Sequence, residues 1–233
     1  MNRRQVVLGT AGSVATLVAG CADETAKTGE QPAETDGDAE DSEETDDGTS
    51  PDEPAVEQPE IQILSGSGNS LESVDLEGGV AVVEGAHGGD SSFRVTLRGE
   101  DEAVVFDTDG EYEGKAARSL ASGPYTVEFE ADGPWRLEVN QPRATEGYAL
   151  PREFAADVPS VVGPVDFDGG DRHTAVVSHD GDDAFRARVY SMAVASDERI
   201  VETTDDEAES TFNYDGFGWI DVDADGSWTL ALE

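Results

Sequence analysis

The chain has 233 residues, and its 53 Asp and Glu residues against 14 Lys and Arg give a formal net charge of −39 at pH 7. This balance excludes a nucleic-acid-binding protein, because phosphate contacts need clustered Lys and Arg. Length allows one or two domains, and 7% aromatic residues argue against a chain that is disordered throughout. Molar salt shortens the Debye length to about 3 Å and screens repulsion among acids, so we expect a protein adapted to brine.

The first twenty residues have the composition of an export signal. Arg3 and Arg4 precede an apolar run from Val6 to Gly20, which is shorter than the ~20 residues of a membrane-spanning helix. The paired arginines resemble a twin-arginine export signal. Residues 18–21, Val-Ala-Gly-Cys, resemble a lipobox, in which cleavage leaves a lipid on the Cys21 sulfur. The alternative is a plain signal peptide that ends by chance at a cysteine.

Residues 21–60 are expected to form a lipidated cysteine followed by a disordered acidic tether. This segment is made mostly of Asp, Glu, Thr, Ser, Gly, Pro and Ala, and has too few apolar residues to offset chain entropy. Two acyl chains on Cys21 would hold the protein on the outer face of the cytoplasmic membrane. We therefore expect an extracellular, lipid-anchored location.

From Ile61 onward, short alternating apolar runs are separated by Gly, Asp and Ser. This pattern is typical of a β-sandwich or barrel. The sequence predicts an all-β fold of two tandem antiparallel, jelly-roll-like sandwiches. The predicted units are 61–142 and 160–233, joined by a linker over 143–159.

A fourteen-residue stretch supports the duplication because it occurs twice, at 126–139 and 219–232. In both copies alternating residues run into Asp-Gly and then resume with a tryptophan, which predicts a β-hairpin. His87 and His179, like Trp135 and Trp228, match in the same order at an offset of 92 or 93 residues. Matches at a near-constant offset indicate an internal repeat.

The repeated motifs are His-x-Gly, Phe-x-Val and Ala-Asp-Gly-x-Trp, with Gly-x-Tyr segments at 110–114 and 123–127 in the first copy. This pattern resembles a small all-β domain of uncharacterised secreted and lipid-anchored prokaryotic proteins. The second copy departs from it at 207–210 and 217–219. With its signal, the chain is similar to lipoproteins of salt-loving archaea. The resemblance implies a fold and a location, and no activity.

Calcium is the one metal for which the sequence offers candidate ligands. Asp221, Asp223 and Asp225 match the start of a calcium loop, but the Glu that completes the loop is replaced by Leu232. Alternation along a strand explains the same spacing. A second candidate group is Asp180 with Asp182, in a turn. We expect neither calcium nor another cofactor to be needed.

The tryptophans and histidines have different predicted roles. Trp135 and Trp228 share a face with leucines and are expected in the core. Trp219 alternates with an apolar residue, should point away from the core, and is the candidate ligand platform. His87 and His179 are expected in surface turns, because a zinc site needs three or four converging ligands.

No catalytic motif is found: Gly-x-Ser-x-Gly, a phosphate-binding glycine loop and His-Glu-x-x-His are all absent from the sequence. We therefore expect a protein that is not an enzyme. The expected function is a lipid-anchored binding or structural module of the cell envelope. Its expected partners are the membrane, through Cys21, and envelope proteins, glycans or a transporter. The alternatives are an envelope glycan-acting hydrolase and a calcium-stabilised adhesion module.

Overall fold

The computed structural model describes residues 57–167, 172–192 and 196–233. Over these residues the chain forms strands and connecting turns, with no helix, and in particular none long and apolar enough to cross a membrane. The predicted all-β class is confirmed. The strands are β1 Gln62–Ser67, β2 Ser70–Leu76, β3 Gly79–His87, β4 Ser92–Arg98, β5 Glu102–Asp109, β6 Tyr112–Leu120, β7 Gly123–Glu130, β8 Pro134–Asn140, β9 Tyr148–Ala149, β10 Arg152–Ala156, β11 Ser160–Asp166, β12 His173–His179, β13 Phe185–Ser191, β14 Asp197–Thr203, β15 Glu207–Phe212, β16 Phe217–Asp223 and β17 Trp228–Leu232.

Strands β1 to β8 form the first sandwich. Sheet A has the order β1-β8-β3-β6 and sheet B the order β2-β7-β4-β5, with every pairing antiparallel. Along each strand, apolar residues alternate with polar ones, so one face of each sheet is apolar. These faces meet in a core that includes Phe93, Leu97, Val127 and Leu137.

Strands β9 to β17 form the second sandwich. Sheet C has the order β10-β17-β12-β15, and sheet D has the order β14-β13-β16-β11-β9. The two-residue strand β9 lies parallel to β11, and the other pairings are antiparallel. The core between these sheets includes Phe185, Val189, Ile220 and Leu230.

The order of strands is the same in the two sandwiches. Sheets A and C correspond strand for strand, as do sheets B and D apart from the added β9. Each set of eight strands has the order of a jelly roll, in which two four-stranded sheets face each other. The internal duplication predicted from the sequence stays a prediction, and this shared order is what a duplication would produce.

The Asp-Gly stretches are not hairpins, so that prediction is wrong. Strand β7 belongs to sheet B and β8 to sheet A, and β16 and β17 are divided between sheets D and C. Each Asp-Gly turn therefore crosses from one sheet to the other. The rings of Phe129 and Trp135 stack across the core, with their centroids 3.7 Å apart. Alternation marks the buried face of each strand, but it does not distinguish strands that pair from strands that face each other.

The predicted linker over 143–159 is largely part of the second sandwich. Strands β9 and β10 lie within it, and β10 pairs with β17 over five residues. Phe154 packs against the second core. The boundary between the sandwiches therefore falls before Tyr148, earlier than the sequence indicated.

The two sandwiches belong to one compact unit and contact each other through β6. This strand is an edge of sheet A, and its outward amides would otherwise lack partners. The amide of Lys115 donates to the carbonyl of Pro159 at 2.9 Å, and the amide of Ala117 donates to Asp221 Oδ1 at 3.1 Å. A small apolar cluster lies beside these bonds, formed by Val80, Ala117 and Tyr190 with Val82, Val161 and Trp219.

Candidate functional site

The contact between the sandwiches encloses a cavity of about 300 Å³, the inter-sandwich cavity. Its lining combines charged groups, tyrosine rings and a few apolar side chains. The lining residues are Val104, Val105, Phe106, Asp107, Thr108, Tyr112, Lys115, Ala116, Arg118, Pro159, Arg186, Arg188, Tyr190, Asp221, Val222 and Asp223.

The floor of the cavity is the outer face of sheet D. Strands β13 and β16 are neighbours in this sheet, and their inward residues are buried in the second core. Since side chains alternate along a strand, the residues between those inward ones point outward. They are Arg186, Arg188 and Tyr190 on β13, and Asp221 and Asp223 on β16.

The wall of the cavity is the open side of the first sandwich, where the edge strands β5 and β6 face each other from different sheets. Asp107 and Thr108 come from β5, and Tyr112, Lys115 and Arg118 come from β6. The second sandwich therefore covers one open side of the first.

The charge of the cavity is opposite to that of the chain. Whereas acids outnumber Lys and Arg by 53 to 14 over the sequence, the lining holds four cations and three acids. The cations are Lys115, Arg118, Arg186 and Arg188, and the acids are Asp107, Asp221 and Asp223. This concentration of the rare basic residues distinguishes the cavity from the rest of the surface.

Arg118 joins three strands. Its Nε donates to the carbonyl of Val104 and its Nη2 to the carbonyl of Val105, each at 3.0 Å. Its Nη1 lies 3.1 Å from Asp221 Oδ2. A planar guanidinium presents its donors in a fixed fork, so one side chain bonds both β5 and the second sandwich.

Asp221 is the most perturbed carboxyl group of the cavity. Burial raises its pKa to about 6, against the opposing effects of the Arg118 charge and of the Ala117 amide. The side chain is only 13% exposed. A partly desolvated carboxyl in a cavity is one of the features that mark functional sites, although structural ion pairs also produce it.

The other three cations of the lining also face carboxylates. The pairs are Lys115 Nζ with Glu84 at 2.8 Å, Arg188 Nη1 with Asp197 at 2.6 Å, Arg186 Nη1 with Asp223 at 3.3 Å and Arg186 Nε with Glu202 at 3.4 Å. Each of these pairs is substantially exposed, so its net stabilising effect is small. The guanidinium of Arg188 has a raised pKa because its hydrogen bond to Asp197 outweighs burial.

Two tyrosines complete the lining. Burial raises the pKa of Tyr112 and of Tyr190, with Asp221 adding to the effect at both. Neither hydroxyl donates to a residue in the described part of the chain. A Cβ on Gly114 would lie 2.5 Å from the Tyr112 hydroxyl and 3.2 Å from Pro159, so the glycine gives this ring its room.

Trp219, the predicted platform, does not present an open face. It points away from the core of its own sandwich, as alternation indicates, but it packs in the small apolar cluster between the sandwiches. Its Nε1 is buried and has no hydrogen-bond partner in the described ranges. The platform prediction is therefore wrong, because the first sandwich covers this face of sheet D.

The calcium candidates are divided between two places. Asp221 and Asp223 lie on the outer face of β16 beside arginines. Asp225 Oδ2 instead accepts the amides of residues 182 and 183, at 2.9 and 3.1 Å, and Asp180 Oδ1 accepts the amide of Ser227 at 2.6 Å. Asp182 takes part through its backbone amide. Over residues 57–167, 172–192 and 196–233, no group of three or more His, Cys, Asp or Glu side chains is placed to hold a metal ion.

The motif residues hold the loops at one end of the first sandwich together. The ring of His87 bonds the carbonyl of Gly110 at 2.8 Å, and Trp135 Nε1 donates to the carbonyl of Gly68 at 2.9 Å. Asp132 Oδ2 accepts the amides of residues 90 and 91, at 3.3 and 3.1 Å. Burial alone would raise the pKa of Asp132, but hydrogen bonds from Ser91 and Asp90 outweigh it and lower the pKa.

The second sandwich repeats these contacts. His179 bonds the carbonyl of Asp205 at 3.0 Å, Trp228 Nε1 donates to the carbonyl of Val158 at 3.0 Å, and Asp225 makes the amide bonds described above. Both tryptophans are buried, which confirms their core assignment. His87 and His179 are only 3% and 4% exposed, so their placement in surface turns was wrong. They pack on Phe93 and Phe185.

Sequence reasoning singled out Asp221 and Asp223 of the cavity, but as calcium candidates, and it missed the cations of the lining. Arg186 and Arg188 alternate along β13, which marks an outward basic face in a chain where cations are rare. This alternation was visible in the sequence, but it does not show that the other sandwich covers the basic face. Arg3, Arg4 and Cys21, which carry the predicted export signal and lipid, lie outside the described residues.

The fold and the cavity define a double jelly-roll protein with a mixed-charge cleft. No family model and no curated protein matches the chain. Among solved structures, the chain is similar to the PBSX exported protein XepA, with 10% identity, coverage of 76% of this chain and 86% of that one, and a TM-score of 0.23. It is also similar to oxalate decarboxylase of Bacillus subtilis, with 9% identity, coverage of 74% and 72%, and a TM-score of 0.18.

The second of these similarities corrects one expectation. Oxalate decarboxylase is an enzyme, which contradicts the expectation that this chain is not one, and that expectation is withdrawn. A TM-score of 0.18 carries no argument about a particular reaction. No activity is therefore transferred from it to this chain.

Proposed function

We propose that the chain is a lipid-anchored, extracellular binding module of the cell envelope, and that its ligand occupies the inter-sandwich cavity. The observation that carries the binding role is the lining of this cavity, where four cations, three acids and two tyrosines converge in a strongly acidic chain. Pockets that combine apolar rings with a few convergent polar groups are the usual sites of small ligands.

The proposed anchor rests on the sequence. A lipobox-like segment ending at Cys21 and an acidic segment to residue 60 support a lipid anchor joined by a tether to the sandwiches. The acids on the outer strand faces suit molar salt, where their repulsion is screened. A Cys21→Ser variant should leave the membrane fraction and enter the culture fluid. Its retention in the membrane would overturn the anchor without affecting the binding role.

The binding role is tested by filling the cavity. Thr108 lines it, and Thr108→Trp should occupy much of its volume. Thr229→Trp is the matched control, because Thr229 lies on an exposed face of sheet C. Solubilised envelope material, separated into protein, glycan and small-solute pools, is passed over each immobilised full chain in molar KCl. The proposal is supported if the wild type and Thr229→Trp retain one of the pools and Thr108→Trp does not. Equal retention by the wild type and both variants contradicts it.

A glycan-acting hydrolase is the second candidate. The observation that favours it is the buried Asp221, whose pKa is raised to about 6, in the same lining as Asp107 and Asp223. Glycoside hydrolysis uses two carboxyl groups, one of them a general acid with a raised pKa. New reducing ends, released from envelope glycan by the wild type and not by Asp223→Asn, would support it. A reducing-end signal equal to that of the boiled protein would dismiss it.

A further inference from the structure

We infer that the inter-sandwich cavity binds a neutral, hydroxyl-rich ligand of sugar type, of one or two rings. This inference rests on the proposed binding function and names the class of ligand for the same site. It follows from the state of the charges in the lining, from the free hydroxyls and rings, and from the size of the cavity.

The cations of the lining are already neutralised. Arg118 is bonded to three backbone carbonyls and to Asp221, and the other three cations each lie within 3.4 Å of a carboxylate. A small anion would meet a carboxylate beside each of these cations, and the repulsion between like charges disfavours its binding. A neutral ligand adds hydrogen bonds and leaves every pair in place.

The groups that remain free are hydroxyls. Tyr112, Tyr190 and Thr108 line the cavity, and none of their hydroxyls donates to a residue in the described ranges. Each of these hydroxyls can both donate and accept a hydrogen bond. The paired carboxylates can still accept through their remaining lone pairs, and the paired cations can still donate through their remaining N–H groups. Such a mixed set matches sugar hydroxyls, each of which also donates and accepts. A ligand that can only accept hydrogen bonds would use the donors of this set and leave its acceptors without a partner.

The partly exposed ring of Tyr112 supplies the main apolar surface of the lining. It lies 5.1 Å from the ring of Phe106, centroid to centroid. Phe106 and Tyr190 also line the cavity, but they are only 4% and 8% exposed. Amphipathic rings of this kind combine a broad apolar face with a polar tip. The C–H face of a sugar ring fits such a surface, while its hydroxyls reach the polar groups around it.

The volume of the cavity and the electrostatic potential of the chain both agree with a neutral sugar ligand. The cavity measures about 300 Å³, at the lower end of the range for ligand pockets, which limits the ligand to one or two rings. The chain carries a net charge of −39, and the resulting potential disfavours the approach of an anion wherever salt screens it incompletely. A neutral ligand pays no such penalty.

The test is calorimetric titration of the full chain in molar KCl with glucose, galactose, mannose and maltose, and with sodium acetate and sodium sulfate as anion probes. At least one sugar should bind saturably. The double variant Tyr112→Phe/Tyr190→Phe keeps both rings and removes both hydroxyls, so it should weaken that binding about tenfold. Tyr148→Phe is the matched control, because Tyr148 is exposed outside the cavity, and it should bind like the wild type.

The outcomes separate the ligand class from the binding function. Saturable binding of acetate or sulfate with no sugar bound would overturn the sugar inference and leave the binding proposal standing. Sugar binding that the double tyrosine variant retains in full, while its thermal unfolding is unchanged, would also overturn the inference. Absence of binding by every probe, together with equal retention of all envelope pools by Thr108→Trp, would overturn both.

Discussion

The carboxylate of Asp221, on the second sandwich, lies 3.1 Å from the guanidinium of Arg118, on the first, and its other oxygen accepts the amide of Ala117 at 3.1 Å. One side chain therefore satisfies both a partly buried cation and an edge-strand amide that would otherwise lack a partner. Exposed edge strands are sites of unwanted pairing between chains, and natural proteins cover them. The contact between the sandwiches protects β6 and creates the cavity at the same time.

Loss of Arg118 should be costly. Arg118→Met removes the bonds to the Val104 and Val105 carbonyls and leaves Asp221 buried without its cation. Breaking a buried pair in this way lowers the free energy of unfolding by about 3–5 kcal/mol, and partial exposure here favours the lower end. Urea unfolding in molar KCl measures it. Arg136→Met, which breaks a pair whose arginine is 47% exposed, should change stability by less than about 1 kcal/mol. Equal effects of the two variants would contradict the role of Arg118.

The raised pKa of Asp221 predicts a pH dependence with a definite sign. Burial raises this pKa from 3.8 to about 6, so the folded protein binds a proton more tightly than the unfolded chain. Its contribution to the free energy of unfolding is therefore greatest near pH 4 and falls as the pH rises to about 6, by up to about 3 kcal/mol. Asp132 and Glu202, whose pKa values are lowered, act in the opposite sense below about pH 4.

Asp221→Asn isolates this contribution. The amide oxygen of the variant can still accept from Ala117, but the side chain no longer titrates. The difference in unfolding free energy between wild type and variant should therefore decrease from pH 4 to pH 6 and stay constant above pH 6. Urea unfolding at fixed molar KCl, at half-unit pH steps, measures the difference. A pH-independent difference across this window would show that Asp221 keeps its ordinary pKa in the fold.

The fold class followed from the sequence because period-two alternation reports directly which face of a strand is buried. The same pattern failed at the Asp-Gly turns. Phe129 and Trp135 are apolar in the alternating register whether their strands pair in one sheet or face each other across a core, so the predicted hairpin and the observed crossing fit the residues equally well. Only the register of pairing with distant strands decides between them.

The candidate site was out of reach for a related reason. Trp219 alternates outward in the sequence, and outward normally means exposed. In this chain the first sandwich covers this outer face of sheet D, so outward residues become interface residues, and the Asp221 side chain is only 13% exposed. Burial against another unit of the same chain leaves no periodic signal. The His and Asp of the repeated motif were visible, but their loop-holding hydrogen bonds depend on contacts more than twenty residues apart.

Tyr125 offers a test of polar burial in the first core. Its side chain is 2% exposed, and its hydroxyl has no hydrogen-bond partner among residues 57–167, 172–192 and 196–233. A buried polar group without a partner carries a desolvation cost, so Tyr125→Phe should raise the free energy of unfolding by about 1 kcal/mol. Thermal and urea unfolding in molar KCl measure the change. Tyr148→Phe, at an exposed ring, should stay within about 0.5 kcal/mol of the wild type. A destabilised Tyr125→Phe would indicate a partner for the hydroxyl.

The glycine of each Asp-Gly turn is predicted to be sensitive to a single added methyl group. A Cβ on Gly133 would lie 2.5 Å from the Cα of Gly89, and one on Gly226 would lie 2.7 Å from the amide nitrogen of Gly181. These contacts are with backbone, so no side chain can rotate away. Gly133→Ala and Gly226→Ala should each lower the free energy of unfolding by about 1–3 kcal/mol, as overpacking does.

Gly88 is the matched control for this prediction, because it lies in the same loop as Gly89. A Cβ there would meet a side-chain carbon of Pro134 at 3.3 Å, a contact that a small shift relieves. Gly88→Ala should therefore cost less than either turn variant in the same urea titration. If all three substitutions cost the same, the loss would reflect backbone freedom rather than the close approach of two loops. Gly133 and Gly226 would then not be required by the loop contacts that Asp132 and Asp225 make.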